Sequence, residues 1–153
     1  GLASLAADLL TEGSRRRSAP AISAAIDLLG GSLESAAGMD SAYVSLKVLS
    51  KHWTAGLDLM LEVLLQPAFS PDEIERRREA VLASLRAAED QPSHVAARVF
   101  TEALFAGEPY GHLADGTAEA VRRLTRADLQ RFYAERYRPA GAIITVVGDV
   151  DAA

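Results

Sequence analysis

Around Gly30-Gly31 the hydrophobic pattern changes its period, and that change limits the folds open to the chain. Before it, Leu2, Leu5, Ala6, Leu9 and Leu10 recur at helical spacing, so they share one helix face. After it, Ala42, Val44, Leu46 and Val48 alternate with Tyr43, Ser45, Lys47 and Leu49, the two-residue period of a strand with one face buried. Two β segments are expected, Ser32 to Ala37 and Ser41 to Leu49, with Gly38-Met39-Asp40 turning between them. A short sheet among helices rules out a pure bundle. Without regular βαβ alternation, the expected class is α+β: a small, mainly antiparallel or mixed sheet packed against a helical layer.

Start and stop signals place the remaining elements. Ser18-Ala19-Pro20 opens a helix to about Leu29. Trp53, Leu57, Met60, Leu61, Leu64 and Leu65 mark another, ended by Gln66-Pro67. Ser70-Pro71-Asp72-Glu73 combines a serine cap, an early proline and first-turn acids, and predicts a long helix to about Ala88. A further helix is expected from Ser93 to about Phe105, with Val95, Val99, Ala103 and Leu104 inward. Thr117 and Thr125 each start a shorter one, and the apolar run Ala142 to Val147 reads as an interior strand. No linker or internal repeat divides the 153 residues, so they read as one domain.

Composition narrows the function classes. Sixteen basic against twenty-one acidic residues give a net charge of −5, which argues against nucleic acid and anionic membranes as partners. The absence of cysteine removes disulfides, thiolate metal sites and cysteine nucleophiles. No apolar stretch is long enough to insert into a bilayer, and the start lacks a signal-peptide pattern. A soluble chain is expected, in a bacterial cytoplasm or periplasm, with the compartment open. The start at Gly1, inside an amphipathic pattern, reads as a cut through a larger protein.

Few residues point to chemistry. His52, His94 and His112 do not pair at helical spacing, and a three-ligand metal site would need a through-space set such as His94, His112 and Asp115. The loop Gly107-Glu108-Pro109-Tyr110-Gly111-His112 is the strongest loop candidate for ligand contact, against a plain helix-to-helix connection. Arg15, Arg16 and Arg17 offer cations to a partner's carboxylates, against a solvated turn. Arg76-Arg77-Arg78 fans around a helix and makes no single patch, and first-turn placement explains Asp72 and Glu73 without catalysis. No nucleophile elbow surrounds any serine.

An ordered set of short segments goes further. Gly1-Leu2-Ala3, Leu9-Leu10-Thr11-Glu12-Gly13-Ser14, Leu28-Leu29-Gly30-Gly31-Ser32-Leu33, Pro67-Ala68-Phe69, Glu73-Ile74-Glu75-Arg76, Pro109-Tyr110-Gly111, Gly116-Thr117, Leu124 to Leu129, Tyr137-Arg138-Pro139 and Val147-Gly148-Asp149-Val150 span nearly the whole chain. Together they resemble the pitrilysin or insulinase-like zinc peptidases, which include the mitochondrial processing peptidases. In active members an inverted motif, His-x-x-Glu-His, occupies the first helix. The resemblance lays its positions on Ser4, Ala7 and Asp8, and the family's third ligand, a glutamate, on Ser84 or Ala83.

The resemblance therefore implies a non-catalytic half of a paired zinc metallopeptidase. Such a half holds no cofactor itself, shapes a peptide chamber and supports a homologous subunit or domain that carries the zinc. Two other readings stay open: membership of a peptidase complex with catalysis wholly in the partner, and a structural core-type scaffold without a proteolytic role. Candidate partner or peptide contacts are Arg15, Arg16, Arg17, Tyr110, His112 and Arg138. The family's domain has further strands on either side, so this chain is expected to be incomplete and its strands to need covering.

Overall fold

The structure is a computed structural model that describes residues 1–149. Val150, which closes the last family-like segment, lies outside the described residues. Helices α1 (Leu2–Asp8) and α2 (Ala19–Leu28) precede a hairpin of β1 (Ser32–Ala37) and β2 (Ala42–Lys47). Then follow α3 (Trp53–Leu65), α4 (Pro71–Glu89), α5 (Pro92–Leu104), α6 (Ala118–Arg123) and α7 (Arg126–Arg136). Short 3-10 turns lie at Ser50–His52 and Pro109–Gly111.

The hairpin is antiparallel, with Leu33 opposite Leu46 and Ser35 opposite Val44. Leu33, Leu46 and Val48 pack on Ile22 and Ile26 of α2 and on Leu59 and Val63 of α3. Val44 lies against a second cluster around Leu5 of α1, Leu9 and Leu10 just after it, Ile74 of α4 and Leu129 of α7. Small mixed layers of this kind are the expected α+β arrangement. Gly31 lets the α2 exit press against the Lys47 carbonyl and Val48, where no β-carbon fits.

Two side chains lock the later helices. Arg78, buried in α4, donates to the carbonyls of Val121 and Leu124 (Nη2, 2.7 Å) and pairs with Glu75, so α4 holds the α6–α7 connection. Arg126 Nε donates to the Phe69 carbonyl at 2.7 Å. Phe69 sits at φ 45, a left-handed conformation uncommon outside glycine, and its buried ring meets Tyr133 edge-on at 5.7 Å.

Three sequence expectations are corrected. Ser18 and Ser70 occupy cap positions without a side-chain cap bond, and Glu73 pairs with Arg76 instead. In α5, Val95 is half-buried as expected, but Val99, Ala103 and Leu104 face solvent, and the other half-buried residues are His94, Arg98 and Thr101. Arg98, paired with Glu89 and Glu102, draws the helix's polar side toward α4. Residues 142–147 form no strand and pair with none among the described residues, leaving Ile143 and Val147 91% exposed. An interior strand needs neighbours on both sides, and the described residues supply neither.

Candidate functional site

Ser4, Ala7 and Asp8, on which the resemblance lays the zinc motif, lie on α1, beside the principal core. Ser4 Oγ donates to Asp115 Oδ1 at 2.7 Å, fixing α1 to the loop that carries Tyr110 and His112. Gly116, at φ 73, approaches Gly1 so closely that a β-carbon would stand 2.7 Å from the Gly1 nitrogen. Ala7 is fully buried, and its carbonyl accepts from Ser35 Oγ at 2.7 Å. Asp8 Oδ2 accepts from Arg77 Nε at 3.0 Å and forms an ion pair with Nη2 at 2.8 Å. Ser84 lies seven residues after Arg77, about two turns along the same face of α4, while Ala83 points about 100° away; both are exposed.

Tyr137 packs against this cluster, stacked on Tyr133 at 5.2 Å. Burial, with smaller contributions from Tyr133 and Asp8, pushes its phenol up to about 12. Its hydroxyl has no hydrogen-bond partner among the described residues.

The arginine turn is more ordered than a solvated loop. Ser14 Oγ accepts from the backbone N–H groups of Arg16 and Arg17 and donates to Glu62 Oε1 at 2.5 Å. Glu62 Oε2 pairs with Arg17 Nη1 at 2.5 Å. Arg15 N–H donates to the Gln66 carbonyl and Ala68 N–H to that of Gly13. Arg17 is therefore partnered, whereas Arg15 and Arg16 project into solvent, Arg16 beside an open depression of about 590 Å³ that also includes Asp58, Leu61, Leu65 and Gln66.

Tyr110 donates to Asp40 Oδ1 at 2.7 Å, joining its loop to the hairpin turn, and this bond holds its hydroxyl above the ordinary range. His112 is exposed. Arg138 is also exposed, and Nε donates only a long 3.4 Å bond to Ala134 at the end of α7. His94, His112 and Asp115 do not form a metal cluster: among the described residues no three His, Cys, Asp or Glu groups are placed to hold an ion. Sequence reasoning misses the buried Glu62 and the contact of Arg77 with Asp8, and it offers Asp115 only as a possible metal ligand, whereas the structure sets it on Ser4. The three-residue spacings in α4 pointed to local ion pairs, but their partners on α1 become visible only in three dimensions.

Residues 1–117 match the model of the insulinase family, peptidase family M16. The chain belongs to that family. It is 32% identical to a zinc protease of Mycobacterium tuberculosis over 151 residues, 99% of this chain and 34% of the relative. A Pseudomonas fluorescens structure described as a peptidase M16 inactive domain aligns with 86% of the chain at 30% identity and TM-score 0.82, covering 32% of that protein. A Helicobacter pylori protease shares the fold over 99% of the chain, with TM-score 0.90 at 22% identity and 37% of its own length covered. The chain thus spans about a third of the length of the curated relatives named here.

Family membership implies zinc, and the residues at the motif positions do not fit it. Ser4 offers a neutral hydroxyl already bound to Asp115, Ala7 offers no donor, and Asp8 faces a guanidinium. Among the described residues no helix is long and apolar enough to cross a membrane.

Proposed function

We propose that this chain is a non-catalytic half domain of an M16 peptidase assembly, shaping its peptide chamber and supporting a homologous subunit or domain that carries zinc. The observation that carries this reading is the set of contacts at Ser4, Ala7 and Asp8, each engaged with the scaffold and together unable to hold a catalytic metal. Similarity to the Pseudomonas inactive domain supports it independently.

The surface chemistry fits a supporting role. Exposed Arg15, Arg16, His112 and Arg138 are candidate contacts for a partner or peptide, whereas Arg17 and Tyr110 act mainly by ordering their loops. The outward apolar side of α5 and residues 142–147 are surfaces for burial against further protein. Bacterial relatives favour a bacterial setting, cytoplasmic or periplasmic.

Native mass spectrometry of the assembly captured on the full-length protein tests the proposal. One zinc in a homologous partner with an intact inverted motif is the expected result. A metal-free assembly with unrelated partners overturns it and favours a structural scaffold.

A further inference from the structure

The contact between Asp8 and Arg77 has a chemistry of its own. Asp8 takes the second histidine position of the zinc motif and is the sole ionisable group among Ser4, Ala7 and Asp8. Its Oδ2 accepts a hydrogen bond from Arg77 Nε at 3.0 Å and forms an ion pair with Nη2 at 2.8 Å. The Asp8 side chain is largely buried, and Arg77 is 37% exposed, so the pair is partly shielded from water.

A dication approaching Asp8 would meet a fixed positive charge. It would have to displace the hydrogen bond and the ion pair and leave the guanidinium beside a metal. The short α1 meets α4 through this side-chain pair, while its start is fixed elsewhere by Ser4 and Asp115.

We propose that Asp8 and Arg77 form a cation-excluding tie, which closes the former metal position and holds α1 to α4 in place of a shared zinc ion. The position rests on the chain's family membership; the tie is independent of whether a catalytic partner exists.

The test uses thermal unfolding of the full-length protein, with and without zinc. Asp8→Asn and Arg77→Gln each lower the melting temperature by about 2–4 °C, and the double variant falls no further than the worse single variant. Any shift that zinc gives the wild type persists unchanged in Asp8→Asn, which lacks the carboxylate. Arg77→Glu, which sets a second carboxylate beside Asp8, gains several degrees from zinc beyond the wild-type shift. Additive losses in the double variant, a wild-type zinc shift that Asp8→Asn abolishes, or an Arg77→Glu variant that responds to zinc no more than the wild type each overturn the proposal. These are differences between variants of one protein, so zinc held elsewhere in the full-length assembly cancels and the half-domain reading stands or falls separately.

Discussion

Ser14 and Glu62, 48 positions apart, share a 2.5 Å hydrogen bond that orders the arginine turn from beneath. Ser14 at once satisfies two backbone donors and one side of a buried carboxylate, while Arg17 satisfies the other side. Ser14→Ala removes an acceptor for two N–H groups and a donor to Glu62. It should cost about 1–3 kcal/mol, read by denaturant unfolding. Arg16→Ala, which touches none of these bonds, should stay within about 0.5 kcal/mol.

Tyr137 should behave in the opposite way. Its hydroxyl is buried without a partner among the described residues, so Tyr137→Phe should keep the packing and stabilise the fold by about 1 kcal/mol. The alkaline limb supplies a second readout. A phenol raised from 10.0 to about 12 keeps its proton longer in the folded state than in the unfolded one. Its contribution is complete below pH 10 and lost as pH rises toward 12. Tyr137→Phe should flatten that part of the stability profile; an unchanged alkaline limb would assign it to other groups.

Gly116 and Gly107 separate backbone strain from crowding. Both have left-handed φ, at 73 and 82, but only Gly116 abuts Gly1; open space surrounds Gly107. Alanine at Gly107 should cost about 1–2 kcal/mol for the backbone alone. Alanine at Gly116 should cost more and raise hydrogen exchange in the Ser4–Asp115 region, because the loop must lift from α1.

The outward side of α5 gives a contrast between folding and association. Phe100 and Leu104 are 65% and 61% exposed, whereas Leu129 is fully buried. Phe100→Ser with Leu104→Ser should leave the unfolding midpoint nearly unchanged and weaken assembly in pull-down experiments. Leu129→Ala should cost about 2–5 kcal/mol. A large stability loss from the α5 pair would show that this surface serves the chain's own core.

Local chemistry made most of the fold legible. Alternation from Ala42 to Val48 gave the hairpin faces, and Thr125 with Asp128 formed the capping box its spacing allows. The same reasoning misplaced α5, because an apolar stripe was assumed to point inward, whereas Arg98 and its two glutamates hold the polar side there. Residues 142–147 failed as a strand for a related reason: a sequence shows a segment's preference but not whether a neighbour is present to pair with it. Resemblance points to Ser4, Ala7 and Asp8, yet their partners Asp115 and Arg77 lie far away in sequence and local spacing does not link them.

The three consecutive arginines of α4 serve three different neighbours: Arg76 meets Glu12, Arg77 meets Asp8, and Arg78 meets the carbonyls before α7. Each assignment depends on helical phase. Inserting or deleting one residue upstream within α4 would rotate all three by about 100° and disconnect them together. This helix should therefore accept many changes of residue type while resisting almost any change of length, a reading-frame constraint imposed by geometry.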